Sequence, residues 1–491
     1  MFKSAVNNTS STENGALSHK STLNPVLDFF FMCGSLRGKD FEEYKSSFKA
    51  ALKCDRKLTL QMLLWLRDVR EGAGERDTVR NLLKYLEVVD KTSLKKIIPV
   101  LAEFGRWDDL LIFNTPEIKE LAFSTIASAL DSGNALCAKW MPREYSMKKT
   151  NGKIDYKSTA NKNRTANNKN AKELREYLKL SPKQYRKLLS QLSSTVEQKM
   201  CDKKFSEIDF STVPSVASLK YKNAFMRNAE EEYLNYLESL SKGESKVNAG
   251  AVYPYNIVNA IGKDTNGTEQ LLISQWESLK NYMNDNSAIP MVDMSGSMFV
   301  SAGNTSYKCI DVAISLGLYI ADKQQGAFKD LFLNFSDDCN LYCLEGTNII
   351  EKYNSMMKYS DEWGGSTNIE SAFKQILNVA VQNNIPESEM PKYLIVLSDM
   401  EFNPSYTCGY NVTVFNKMKA QFKSKGYELP GIVFWNLNAR EGNNPVKMTD
   451  TNVAMVSGFS PTLMSSVLEG DFTDPVKNML KVIDVPRYQV L

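Results

Sequence analysis

The chain has 491 residues, 43% of them hydrophobic and 24% charged, enough to fill two or three cores at roughly 150 residues per domain. The net charge of +3 says little, but the segment Lys148–Lys172 alone carries +7 and leaves −4 on the rest. The single histidine, His19, lies in a polar N-terminal stretch, which excludes Ser-His-Asp and Cys-His nucleophile systems and His-based zinc sites.

Eight cysteines are scattered without a C-x-x-C pair. Cys339 and Cys343, four apart, are expected as two buried thiols. Met1 to Thr22 lacks an apolar signal core, and no run approaches the roughly 18 apolar residues of a spanning helix. A soluble, reduced, cytoplasmic protein with no membrane partner is expected.

Residues 1–22, rich in Ser, Asn and Thr, are expected to form a disordered tail. Residues 23–285 read as helical. Leu58, Leu60, Leu63, Leu64, Leu66 and Val69 recur at helical spacing until Gly72-Ala73-Gly74 breaks the pattern. Val79, Leu82, Leu83, Leu86 and Val88 mark the next helix. Ser93–Phe104 reads as a third, with Pro99 placed to kink or split it. Thr115-Pro116 and Ser181-Pro182 are start signals, an N-cap followed by proline at the first helical position. Short helices joined by short turns predict helical pairs stacked as a solenoid. A basic stretch at 147–172, with six Asn and, past Met147, only Ile154 and Tyr156 as large apolar residues, is expected as a long exposed loop.

From 286 to 491 the texture changes. Short apolar runs (Ala288–Val292, Leu331–Phe335, Leu341–Leu344, Tyr393–Leu397, Gly431–Trp435, Val453–Val456) alternate with helical stretches (Ile310–Lys323, Ile369–Val381, Val412–Lys423). That alternation predicts an open, doubly wound, mainly parallel α/β sheet, whose ligands sit at the carboxyl ends of the strands.

Directly after the first of these strands stands Asp293-Met294-Ser295-Gly296-Ser297, one carboxylate and two hydroxyls on a strand-to-helix loop. A hard divalent cation wants this all-oxygen set. Thr367, after Gly364-Gly365-Ser366, and Asp399, after the strand Tyr393–Leu397, are the further oxygens expected from other strand ends. Phosphotransfer readings fail, because haloacid-dehalogenase phosphatases need an Asp where Ser295 stands and no G-x-x-x-x-G-K-[ST] run exists. Asp131-Ser132-Gly133 gives one string of the aspartic-protease kind where two are needed.

The five positions Asp293, Ser295, Ser297, Thr367 and Asp399 match the metal-ion-dependent adhesion site of von Willebrand factor A domains, and the C-terminal part resembles that Rossmann-like family. The resemblance implies that Ser295, Ser297 and Thr367 bind Mg²⁺ or Mn²⁺ directly. Asp293 and Asp399 would act directly or through water, with one position left open for an acidic group of a protein partner.

Upstream, Asp68-Val69-Arg70-Glu71-Gly72-Ala73-Gly74-Glu75-Arg76-Asp77 is read as a glycine-capped helix–helix turn rather than a phosphate loop. Trp107 and Trp140 are read as packing between helices. These strings, with Ser181–Arg186, Val213-Pro214-Ser215 and Phe434-Trp435-Asn436, resemble an uncharacterised family that joins a helical half to an adhesion-type A domain. More distantly, through domain order, Leu27–Ser35 and the Arg67–Asp77 region, that family is similar to the Ro autoantigen, whose TROVE domain is a ring of HEAT-like repeats. The resemblance implies a scaffold that binds structured small RNA; with no acid–base pair and nucleophile to assemble, a non-enzymatic protein is expected, and a monomer. Lys148, Lys149, Lys153, Lys157, Lys162, Arg164, Lys169 and Lys172 are the candidate phosphate contacts. The competing expectation is a metal-dependent protein-interaction adaptor without nucleic acid.

Overall fold

A computed structural model gives the fold. It describes all residues except 1–7, 12–16, 148, 151–152, 155–157, 194, 249–251, 264–266, 284–285, 303–304, 306, 336–338, 361–368, 402–411, 439–443, 464–473 and 491. In chain order a hairpin, β1 (Thr9–Ser11) and β2 (Leu17–His19), precedes α1 (Pro25–Cys33), α2 (Phe41–Cys54), α3 (Arg56–Arg67), α4 (Asp77–Val89), α5 (Lys91–Ile97), α6 (Leu101–Phe104), α7 (Pro116–Asp131) and α8 (Ala135–Trp140). The two-residue strands β3 (Lys149–Thr150) and β4 (Lys153–Ile154) follow. Then come α9 (Thr159–Tyr177), α10 (Pro182–Leu192), α11 (Val196–Cys201), α12 (Ser215–Asn228), α13 (Glu230–Ser241), α14 (Pro254–Lys263) and α15 (Glu269–Glu277). The rest alternates: β5 (Ala288–Val292), α16 (Cys309–Lys323), β6 (Leu331–Asn334), β7 (Leu341–Cys343), α17 (Ile349–Lys358), α18 (Ile369–Gln382), β8 (Tyr393–Ser398), α19 (Val412–Ser424), β9 (Gly431–Asn436), β10 (Val453–Ser457) and α20 (Pro475–Ile483). The N-terminal half is thus helical and the C-terminal half α/β. No described helix is long and apolar enough to cross a membrane.

The chain forms two compact units. One holds Met1–Thr78, Phe210–Ala224 and Tyr233–Gln489; the other holds Val79–Asp209, Phe225–Glu232 and Val490–Leu491. The units therefore cut the chain differently from a single boundary at 286.

In the first unit six strands form one sheet, ordered β10-β9-β8-β5-β6-β7 and parallel except for the antiparallel β6–β7 pair. Strands β5, β8, β9 and β10 are buried at every residue, which is why their sequences are unbroken apolar runs rather than alternating ones. Gly317 lets α16 lie against β5, since a Cβ there would fall 2.5 Å from Val292 Cγ2.

Helix α1 explains why the N-terminus joins this unit. Asn24 caps it by accepting from Val26 and Leu27 N–H, Pro25 opens it, and its Phe29-Phe30-Phe31 run is buried all round. At its end Gly34 N–H donates to Ser457 Oγ at 3.0 Å, and Ser457 Oγ donates to Phe30 O at 3.0 Å. A Cβ on Gly34 would stand 2.1 Å from Ser457 O, so only glycine permits this approach to β10.

The expected disordered tail is corrected over its described part. Asn8 exchanges two hydrogen bonds with the Ser21 backbone, at 2.8 and 3.0 Å, and Asp28 accepts from Ser21 Oγ and Thr22 N–H. His19 pairs with the Asn444 backbone in both directions, at 3.0 Å each. Side-chain amide and carboxylate bonds order a stretch that has no apolar pattern.

The turn Asp68–Asp77 is the helix–helix turn expected of it, with Gly74 at φ +70°. Its acids close buried ion pairs. Asp68 accepts from Arg487 Nε at 2.5 Å and Nη2 at 3.1 Å and from Tyr488 Oη at 3.1 Å; Glu75 accepts twice from Arg37.

In the second unit Arg80 pairs with Asp109 at 2.7 Å and Asp108 at 2.9 Å, and the Arg106 guanidinium lies 3.7 Å over the Trp140 ring. Trp140 therefore packs, as expected. Pro99 does split its helix, into α5 and α6. The long loop expected at 147–172 is corrected, because Thr159 onward is helix α9. Ser158 caps it, Ala171 and Leu174 bury its inner face, and Glu173 pairs with Lys119. Ala, Lys and Arg are good helix formers, and the Asn-rich stretch is carried by them. Of the two thiols expected to be buried, Cys339 is buried and Cys343 exposed on the edge strand β7. Both are free.

Candidate metal centre

Strand register builds this site. Parallel β5 and β8 pair Val292 with Leu397, so Asp293 comes level with Ser398, and Asp399, one residue further on, leaves the same end of the sheet. Asp293 N–H still donates to Leu397 O at 3.0 Å, which holds the start of the loop to the strand. The Asp293 carboxylate then accepts from Ser295 N–H at 2.9 Å and from Ser398 Oγ at 2.5 Å. Ser398 Oγ also accepts from Met400 N–H, and Met400 takes φ +64° as the chain turns away. Glu401 N–H donates to Asp399 Oδ1 at 3.3 Å. Ser295 and Ser297 bring their Oγ atoms to 3.1 Å of each other. Asp293, Ser398 and Asp399 are buried, while the two loop serines are half-buried at the surface end.

Four of the five sequence-predicted ligands, Asp293, Ser295, Ser297 and Asp399, thus stand at one strand end. Thr367 lies outside the described residues. Burial first, and the neighbouring Asp399 charge second, push the Asp293 carboxyl up to about 6 against the hydrogen bonds from Ser398 and Ser295. Two adjacent buried carboxylates with hydroxyls beside them fit a hard cation, whose charge would relieve both. No group of three or more His, Cys, Asp or Glu able to hold a metal occurs among the described residues. The candidate set accordingly leans on hydroxyls. Ser398 is the residue that sequence reading missed; its place beside Asp399 was the available signal. Phe299 and Val300, just past the loop, are 53% and 42% exposed, an apolar rim that the motif does not announce.

The predicted RNA contacts are divided. Lys148 and Lys157 lie outside the described residues. Lys149 and Lys153 sit on the β3–β4 pair. Lys162, Lys169 and Lys172 are exposed, and their spacing on α9 puts them on one helix face. Lys172 lies 3.9 Å from Glu176, and Arg164 donates to Ser146 O, away from that face.

Fold and site together define a class: a helical N-terminal half followed by an α/β sheet with a cluster of oxygen donors at its strand ends. Within that class the chain belongs to the domain-of-unknown-function family DUF2828, which matches residues 12–110 and 122–289. Residues 287–485 match a second such domain, DUF7788. An uncharacterised protein of Acanthamoeba polyphaga mimivirus is 30% identical over 97% of this chain and 87% of its own. The crystal structure of the Ro (RSR) protein of Deinococcus radiodurans aligns with a TM-score of 0.48 at 13% identity, covering 91% of this chain and 99% of that one.

Proposed function

We propose that the chain is a non-enzymatic binding scaffold. In this reading its α/β half, as an adhesion-type A domain, holds Mg²⁺ or Mn²⁺, and its helical half offers basic surface to structured RNA. The observation that carries it is the meeting of Asp293, Ser295, Ser297 and Asp399 at one strand end, with two carboxylates buried together. Thr367 would complete the set. When bound, the cation supplies an open coordination position for an oxyanion. Asp293 and Asp399 would supply the charge that retains it, Ser398 Oγ–H and Ser295 N–H hold the Asp293 carboxylate, and Ser295 and Ser297 would add their hydroxyl oxygens. Among the described residues of the site no nucleophile stands beside a paired acid–base group, which favours binding over turnover in this reading. The exposed lysine face of α9 supports RNA as one ligand.

Gel shifts with total cellular RNA test the RNA part. Logarithmic affinity should fall linearly with log salt, and no shift at low salt removes this part of the reading. Magnesium binding by calorimetry tests the metal, with Asp293→Ala as the control.

The exposed Phe299 and Val300 beside the metal loop favour a second reading, a protein-interaction adaptor. There a partner's Asp or Glu would bind at the cation held by these residues, and the apolar pair would pack alongside. Chelation would then abolish a complex that nuclease leaves intact.

A further inference from the structure

Away from the metal loop the sheet-bearing unit contains a cavity of about 300 Å³ walled by Val69, Arg70, Tyr253, Lys280, Tyr282 and Thr462, among others. The geometry points to a binding site for a small molecule that carries one oxyanion group and one aromatic ring, with the build of a nucleoside monophosphate. The volume lies at the small end of the range of ligand pockets. This inference does not depend on the metal centre.

Charge selects the oxyanion. Arg70 and Lys280 both line the cavity and both are exposed, while no carboxylate is among the described lining residues. Glu71, whose charge reaches Tyr282, stands 3.6 Å from Arg487. The Ser278 hydroxyl adds a neutral donor to the same walls, and Ser460 and Thr462 add hydroxyl oxygens that bond each other at 2.8 Å. A phosphate or carboxylate taken between a guanidinium and an ammonium gains charge-assisted hydrogen bonds from both.

Ring faces select the aromatic part. Tyr253 is stacked on Tyr255 with centroids 5.4 Å apart and planes within 7°, which fixes its orientation. Lys280 Nζ lies 5.0 Å from the centroid of the Tyr282 ring, so cation and ring form one clamp. Apolar Val69, Val247, Val252 and Leu279 fill the remaining wall.

The walls are held in place before any ligand arrives, which lowers the ordering cost of binding. Tyr319 Oη donates to Lys280 O at 2.5 Å and accepts from Tyr282 N–H at 2.9 Å, pinning that segment at both ends. Arg70 N–H donates to Asp68 Oδ1 at 3.0 Å, and Asp68 is locked in turn by Arg487 and Tyr488. Thr462 Oγ1 donates to Gly72 O at 3.3 Å. Gly74, at φ +70°, lies so near Tyr253 that an added Cβ would sit 2.6 Å from the Tyr253 Oη. Glycine at 74 is thus what lets the Tyr253 ring reach the cavity.

The test is calorimetric titration of the full chain with AMP, GMP and UMP, with adenosine and inorganic phosphate as half-ligands and a 5′-phosphorylated single-stranded oligonucleotide as a separate arm. At least one mononucleotide should saturate a single site, and each half-ligand should bind about tenfold more weakly or worse. Arg70→Ala and Lys280→Ala should each weaken that nucleotide about tenfold with the circular dichroism spectrum unchanged. Ser278→Trp, at an exposed lining position, should block binding by occupying the cavity. Absence of saturable heat with all three nucleotides into the millimolar range overturns the assignment. So does binding indifferent to both cation variants, or an oligonucleotide bound more than about tenfold tighter than any mononucleotide.

Discussion

Replacing Asp293 with Asn separates the charge of this residue from its shape. The carboxyl is buried beside Asp399 and raised from 3.8 to about 6. For a charged Asp293 at neutral pH that rise corresponds to roughly 3 kcal/mol borne by the metal-free fold. Asparagine is uncharged and recovers this amount. It also has one acceptor oxygen where the carboxylate has two, so either Ser398 Oγ–H or Ser295 N–H loses its partner. That loss costs about 1–2 kcal/mol. The metal-free Asp293→Asn protein should therefore be more stable by about 1–2 kcal/mol, a rise of a few degrees in the unfolding midpoint. Added Mg²⁺ should act in the opposite sense. At a hundredfold excess over its Kd it stabilises the native protein by about 2.7 kcal/mol, and the variant far less. Thermal unfolding in EDTA and in Mg²⁺, followed by near-ultraviolet circular dichroism, reads both effects. A variant less stable than the native protein in EDTA, or an equal response of the two to Mg²⁺, would refute the reasoning.

Arg487→Met should destabilise by about 3 kcal/mol in urea unfolding, because it strands the buried Asp68 carboxylate; Asp68→Asn in the same chain should restore much of the loss. At Asp322 burial opposes ionisation, but the Lys352 ammonium and the Trp276 indole N–H prevail and hold the carboxyl below 3.8. Its contribution is thus present above that value and disappears as pH falls through the lower folded one, so Lys352→Met should move the acid-unfolding midpoint upward in a dichroism titration. If RNA binds the exposed face of α9, replacing Lys162, Lys169 and Lys172 with Gln should lower the slope of log affinity against log salt by roughly 2–3. An unchanged slope would place the RNA elsewhere.

The sheet was legible because its central strands are buried on both faces and so read as unbroken apolar runs. Pro99, Gly72-Ala73-Gly74 and the Ser-Pro and Thr-Pro caps were legible for a similar reason, since each acts on its own backbone. What escaped was tertiary. Helix α9 looked like a loop because its polar composition hides a two-residue inner face, Ala171 and Leu174, that needs neighbours to matter. The hairpin at β1 and β2 is ordered by Asn8 and Asp28, which carry no periodic signal. The glycine turn was recognised as a turn, but its partners Arg37 and Arg487 lie 38 and 419 residues away from Glu75 and Asp68. Nothing local in the sequence names them.

The candidate metal centre owes its form to register more than to its loop. Side chains along a strand alternate faces, so a one-residue slip between β5 and β8 would break the pairing of Val292 with Leu397 and take Ser398 away from the Asp293 carboxylate. Ser398 shows how closely the two strand ends are matched, since its hydroxyl spans from β8 to the Asp293 carboxylate at 2.5 Å. The loop after Asp293 then has only to present two hydroxyls, which a short 3₁₀ turn at Gly296–Phe299 accomplishes. It follows that substitutions in the buried strands should alter cation affinity as strongly as substitutions of the loop serines. Widening the strand pair at Leu397 should weaken binding without touching any ligand. A loop-centred site would show the reverse order.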